Sequence, residues 1–175
     1  KDRLHVCYAK ERYGKEQVTP LSVVYGQKHE KEVEAARKIL EYYGLRGVEL
    51  DLPPVFAYSD CSLLSHSREE IPEESYDSQL KKRPGALVTT YVPFRNGLFL
   101  ASAASMALSL HCSCIYYGAH RDDAAGSAYP DCSEAFFSSM NQAVYEGSGK
   151  ALRIEAPFIS CNKAQVVKEG LRLGV

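Results

Sequence analysis

Short β-branched runs alternate with helical segments along most of this chain, and that alternation restricts its fold more than any other feature. The pattern predicts an α/β layer fold built on a parallel sheet. Residues 18–24 carry β-branched side chains and end at Tyr25-Gly26, a natural strand exit. From about residue 29 to 43, Val33, Ala36, Leu40 and Tyr43 recur on one helical face, and Gly44 supplies the stop. Residues 47–52 read as the next strand, halted by Pro53-Pro54. Further along, residues 87–92 form a β-like run before Pro93, and 95–110 a mostly buried helix. Residues 112–117 are an apolar strand ending at Gly118, 133–144 a helix before the Gly147-Ser148-Gly149 turn, and 151–156 a strand. Asn162, with Gln165 three residues on, is a capping-box signature for a last helix with an Ala164, Val167 and Leu171 stripe. With residues 4–13 as a first helix, the tally is about five strands and five helices.

A chain of 175 residues holds one well-buried core and is too short for two ordinary domains, so residues 1–175 read as a single α/β domain. Residues 53–89 interrupt it with a long variable loop of low periodicity, read as a solvated insertion in preference to a substrate lid. With 21 Lys+Arg against 22 Asp+Glu, the net charge of -1 argues against a dominant phosphate-tracking surface and hence against nucleic acid as a direct partner. The longest apolar run, residues 97–110, is too short to cross a bilayer. The start lacks the apolar stretch of a secretory signal, and the 6 cysteines are scattered, which together favour the cytoplasm. Cys112 and Cys114 lack the usual zinc-knuckle spacing and read as small core residues. Because the chain begins with Lys, some upstream sequence is expected to have been lost.

Ligands of open parallel sheets gather beyond the carboxyl ends of the strands. Three polar segments fall at such ends: residues 25–29, 89–96 and 118–123. Arg95 and Asn96 open a helix whose free N–H groups suit an anion, although Arg95 also fits an ordinary surface ion pair. Lys163, in the first turn of the last helix, opposes the macrodipole and would gain from an anionic ligand, or simply faces solvent. Asp122 and Asp123 are candidate magnesium ligands or plain solvated carboxylates. His120 and His29 are candidate acid–base groups, or in the latter case a helix cap. The segment Gly126 to Cys132 contains Tyr129, Pro130 and Asp131, which fit either a turn or a stack on a planar heterocycle whose guanine-like N–H pair the carboxylate accepts.

Taken together, these stretches resemble the 7-cyano-7-deazaguanine synthases of the PP-loop ATP pyrophosphatase group. The resemblance is carried by Tyr-Gly-Gln-Lys-His at 25–29 with Glu-Val-Glu-Ala-Ala at 32–36, Thr-Tyr-Val-Pro-Phe-Arg-Asn at 90–96, Gly-Ala-His-Arg-Asp-Asp at 118–123 and Ala-Tyr-Pro-Asp-Cys at 128–132. It runs from about Cys7 to the last residue. It implies an adenine nucleotide alpha hydrolase-like, Rossmann-like three-layer fold, a parallel sheet with helices on both faces, its first strand missing here. It also implies an ATP-dependent ligase that joins 7-carboxy-7-deazaguanine and ammonia into 7-cyano-7-deazaguanine (preQ0) in queuosine biosynthesis. ATP binding would fall to Tyr25, Gly26, Gln27, Arg95, Asn96 and Lys163, and the deazaguanine to Tyr129, Pro130, Asp131 and Cys132, with Mg2+ near Asp122 and Asp123. A homodimer is implied. The family's Ser-Gly-Gly-x-Asp-Ser loop would stand where residues 1–6 have no glycine, and its Zn2+ cysteines would fall beyond Val175. Those departures keep two other readings open: a non-catalytic nucleotide- or deazapurine-binding remnant, and another PP-loop ligase or tRNA-modifying enzyme.

Overall fold

The computed structural model describes residues 2–29, 31–74, 76–82, 87–124 and 128–175. In chain order these form α1 (Asp2–Tyr13), β1 (Leu21–Val24), α2 (Lys31–Tyr43), β2 (Val48–Asp51), α3 (Tyr76–Lys82) and α4 (Arg95–Ser109). There follow β3 (Cys114–Tyr116), α5 (Glu134–Gly147), β4 (Arg153–Glu155) and α6 (Lys163–Arg172). The architecture is mixed α/β, and both described strand pairs are parallel. Leu21 lies opposite Val48 in the β1–β2 pair, and Ile115 opposite Ile154 in the β3–β4 pair. Parallel neighbours need a crossover, which α2 supplies to the first pair and the stretch carrying α5 to the second.

Local chemistry sets the exposed and half-buried faces of α2 and the starts of α5 and α6. On α2 the predicted face of Val33, Ala36, Leu40 and Tyr43 is half-buried while the flanking charged residues are exposed. Ser133 caps α5 by accepting the Phe136 N–H at 3.1 Å. At α6, Asn162 Oδ1 accepts the Gln165 N–H at 2.9 Å and Gln165 Oε1 accepts the Asn162 N–H at 2.8 Å, the predicted reciprocal box.

Two cores result, and α4 joins both. Ile115 and Ile154 lie with Leu100 and Ala107 of α4, Val144 of α5 and Leu152 in one cluster. Successive strand residues point to opposite faces, so Tyr116 and Glu155 turn away from that cluster and meet α1. There the Tyr8 and Tyr116 rings sit 6.0 Å apart and Arg12 donates to Glu155 at 2.8 Å. The other core gathers Tyr25, Phe56, Cys61, Leu64 and Val92, with Leu98 and Phe99 of α4 packed against it.

Four expectations are corrected. Residues 87–92 are a turn, not a strand: Tyr91 N–H donates to Val88 O at 2.9 Å, and Ser62 N–H to Thr89 O at 3.1 Å. Val88 and Val92 still bury, so the β-like composition is satisfied by core packing without a ladder. The described residues therefore hold four strands and six α-helices. The sixth helix, α3, lies inside the 53–89 segment read as a solvated loop, and Phe56, Cys61, Ser62 and Leu64 of that segment are buried against β1's exit. On α6, Ala164, Val167 and Leu171 face solvent, and Gly170 is the buried position. That helix is instead held at its ends, by Asp122 at the first turn and by Arg172 paired with Glu11 at the last. Gly126, Ser127 and the Arg83 charge lie outside the described residues. Among the described residues no helix is long and apolar enough to cross a membrane.

Candidate functional site

The first turn of any helix presents N–H groups without intrahelical partners. At α4 the residue in the capping position is Phe94, whose φ of 52° places it in the left-handed region and whose side chain offers no acceptor. The acceptor comes from a distant residue: Asp131 Oδ2 takes the Asn96 N–H at 2.9 Å. Asn96 answers with its side chain, donating from Nδ2 to Asp131 O at 3.3 Å and to Cys132 Sγ at 3.2 Å. The Tyr117 hydroxyl donates to the same Asp131 carbonyl at 2.6 Å. The Tyr129–Cys132 segment is thus clamped onto the start of α4. Asp131 is 3% exposed, and among the described residues its Oδ1 has no hydrogen-bond partner. Burial pushes its carboxyl above the ordinary range, against the opposing pull of the Asn96 N–H and the Arg95 charge.

Arg95, one residue before Asn96, turns back toward β1. Its Nη1 donates to the Tyr25 hydroxyl at 2.9 Å, and the guanidinium lies 5.3 Å over the Tyr25 ring and 5.9 Å over that of Phe99. Burial disfavours the charge, but Tyr25, Asp131 and Cys132 more than offset it, so the cation persists. This is not the surface ion pair that remained an alternative from sequence. Tyr25 itself is buried, which raises its phenol pKa. Gly26 follows at φ 81°, a conformation that favours glycine, and its carbonyl accepts the Ser65 N–H at 2.7 Å. Gln27 folds its amide oxygen onto the Tyr25 N–H at 2.9 Å and bridges to Leu64. Residues 25–27 are therefore locked to the buried 61–65 stretch.

Tyr129 leans on the turn before α4. Its hydroxyl lies 2.6 Å from Thr90 Oγ1, its ring 6.4 Å from that of Tyr91 at 54°, and the Tyr91 hydroxyl accepts the Phe94 N–H at 3.0 Å. Pro130 opens a one-turn helix, Pro130–Cys132, that aims Asp131 inward. Tyr25, Arg95, Asn96, Tyr129, Asp131 and Cys132 thus form one group about the head of α4. Thr90, Tyr91, Tyr117 and Ser62, which sequence reasoning assigned no role, are the residues that hold it.

Other candidate residues meet near the start of α6. Asp122 Oδ2 accepts the Lys163 N–H at 2.8 Å, and His120 Nε2 lies 3.4 Å from Asp123 Oδ1. Both helix starts expected to meet phosphate therefore carry an aspartate from another part of the chain. Among the described residues no cluster of three or more His, Cys, Asp or Glu is placed to hold a metal ion. Burial pushes the Cys114 thiol up to about 11, which suits a packed thiol better than a thiolate ligand.

Parallel-stranded α/β organisation, with polar groups converging on a helix start beyond a strand end, is the class this molecule falls into. Within it, the chain belongs to the family of queuosine biosynthesis protein QueC, whose sequence profile matches residues 3–175. Curated relatives named 7-cyano-7-deazaguanine synthase include one from Archaeoglobus fulgidus, 33% identical over 160 residues, covering 91% of this chain and 63% of the relative. Another, from Caldicellulosiruptor saccharolyticus, is 34% identical over 174 residues, 99% of this chain and 73% of the relative. A third, from Nitratiruptor, is 38% identical over 154 residues, 86% and 66% respectively. The chain spans 63% to 73% of the length of these relatives.

Proposed function

We propose that this chain acts as an ATP-dependent carbon–nitrogen ligase that converts 7-carboxy-7-deazaguanine and ammonia into 7-cyano-7-deazaguanine, the preQ0 of queuosine biosynthesis. The observation that carries the reading is Asp131, a buried carboxylate whose Oδ1 has no partner among the described residues, sitting two residues from the Tyr129 ring. A planar base stacked on a tyrosine and donating N–H to that oxygen would satisfy both. Pro130 and Cys132, on either side of Asp131, belong to the same proposed set.

The chemistry requires activation. A carboxylate resists attack by ammonia because its oxygen leaves poorly, and transfer of a phosphoryl or adenylyl group from ATP supplies a leaving group; the resulting amide is then dehydrated to the nitrile. Stabilising phosphate charge becomes the main demand on the protein. Arg95, cationic and stacked between Tyr25 and Phe99, supports the assignment of phosphate contact to this edge, with Tyr25, Gly26 and Gln27 beside it. Lys163 joins the nucleotide set in this reading through its side chain, since its backbone N–H already donates to Asp122, whereas the Asn96 N–H and Nδ2 donors are all engaged with Asp131 and Cys132, so Asn96 would hold the start of α4 beside the nucleotide. Magnesium commonly binds through one or two carboxylates together with phosphates. Asp122 and Asp123 fit that use and do not form a dedicated cage, so their role would be to receive an ATP-borne Mg2+. The described residues do not fit a zinc site, and no step is assigned to one.

We read the two parallel pairs as parts of one adenine nucleotide alpha hydrolase-like layered sheet, supported by α1 and α4–α5 meeting opposite sides of β3–β4. A cytoplasmic homodimer accompanies this reading. Isothermal titration with 7-carboxy-7-deazaguanine and with ATP, followed by mass detection of preQ0, tests it. Tight base binding with product supports the ligase. Base binding without turnover supports the alternative of a deazapurine-binding protein, which the carboxylates seated on the α4 and α6 starts favour. No binding of either ligand sinks both.

A further inference from the structure

We infer that Thr90 is the positioning residue for the base platform, its hydroxyl fixing the direction in which the Tyr129 side chain is held for a flat heterocycle. The inference rests on the reading in which Tyr129 and Asp131 hold the deazaguanine. A tyrosine ring swings about two torsions, so its orientation is undefined unless something grips the far end. Here the grip is at the tip: Thr90 Oγ1 lies 2.6 Å from the Tyr129 hydroxyl, and Thr90 is 7% exposed. At the near end, Cys132 N–H donates to Tyr129 O at 3.0 Å, and the following Asp131 and Cys132 are bound to Asn96. A side chain held at both ends cannot swing away about its first torsion.

The anchor is itself rigid. Thr90 sits in the turn closed by the Tyr91 N–H on Val88 O, and the neighbouring Thr89 carbonyl accepts from both the N–H and the Oγ of Ser62, at 3.1 and 3.2 Å. Ser62 is fully buried and Val88 and Val92 pin the turn on either side. The Tyr91 ring does not provide an alternative clamp by stacking, because it meets Tyr129 at 54° with centroids 6.4 Å apart. Tyr129 stays half-buried, so the residue is not sealed inside the core.

The test measures affinity for 7-carboxy-7-deazaguanine in Thr90→Val, Thr90→Ser, Tyr129→Phe, the Thr90→Val/Tyr129→Phe double variant and Tyr129→Ala. Losing one neutral hydrogen bond is expected to weaken binding about 3- to 10-fold in Thr90→Val and in Tyr129→Phe. The double variant should be no weaker than either, since both remove the same bond, and Thr90→Ser should bind as the parent does. Parental affinity in Thr90→Val, or losses that add in the double variant, overturns the inference while leaving Tyr129 as platform. An unchanged affinity in Tyr129→Ala, or no base binding by the parent chain, overturns the base-site reading and the inference with it.

Discussion

Asp131 is a single carboxylate with two tasks, one on each oxygen. Oδ2 holds the head of α4, and Oδ1, buried and without a hydrogen-bond partner among the described residues, is the oxygen that the proposed function gives to the base. Asp131→Asn keeps an acceptor for the Asn96 N–H but removes the charge, so folding should survive. A hydrogen bond to a charged group contributes about 1.5–3 kcal/mol, which corresponds to a loss of roughly 10- to 100-fold in deazaguanine affinity with ATP affinity little changed. Equal loss of both ligands in titration would point to a damaged fold instead. Protonation state adds a second readout. Burial raises this carboxyl's pKa, so the ionised acceptor is lost, and base affinity should fall, as pH drops through a value above the ordinary aspartate range. The stability sign is opposite: a raised folded pKa contributes stability present at low pH and lost as pH rises through it. Asp131→Asn should flatten the affinity profile, and a profile that keeps its slope refutes the assignment. Arg95→Ala should weaken ATP at least 10-fold, on the order of one charge-assisted phosphate contact. An unchanged nucleotide affinity would remove Arg95 from that role.

At the scale of elements, helix ends were the most legible part of this chain and helix faces less so. The Asn162–Gln165 box formed as read because both partners sit within one turn of each other. Removing it in Asn162→Ala should cost about 1 kcal/mol and lower the melting temperature by about 2–4 °C, measurable by circular dichroism. Gly97 was not distinguished from its neighbours in sequence, yet a Cβ there would overlap the Phe94 ring, which packs edge-on against Phe136 at 5.8 Å. Gly97→Ala should therefore lower the melting temperature although alanine is the better helix former, and a stabilised variant would show that Phe94 simply moves aside. The Ala164, Val167 and Leu171 stripe was misread because periodicity says which residues share a face but not which face meets the protein. Asp122 and Glu11, at the two ends of α6, fix its rotation from outside the helix.

Across the whole molecule, α4 ties the two cores together, with Leu100 and Ala107 in one and Leu98 and Phe99 against the other. Leu100 is 4% exposed, and Leu100→Ala should cost about 2–5 kcal/mol. Because both cores lean on that helix, the loss should appear as a single cooperative transition at lower denaturant; two separated transitions would show that the cores unfold independently. What the sequence alone determined was short-range: the α/β alternation, the α2 face, the cap at Asn162, and the polar segments about the candidate site. Each depends on residues within a turn or two of one another, where propensity and capping act directly. Tertiary structure alone decided that residues 87–92 turn, that the 53–89 segment builds a core, and that Asp131 and Asp122 seat themselves on the α4 and α6 starts. Those outcomes depend on contacts between residues 27 to 41 apart, such as Ser62 with Thr89 and Asp122 with Lys163. No local pattern encodes them, because a backbone N–H donates to whichever oxygen the packed chain brings to it.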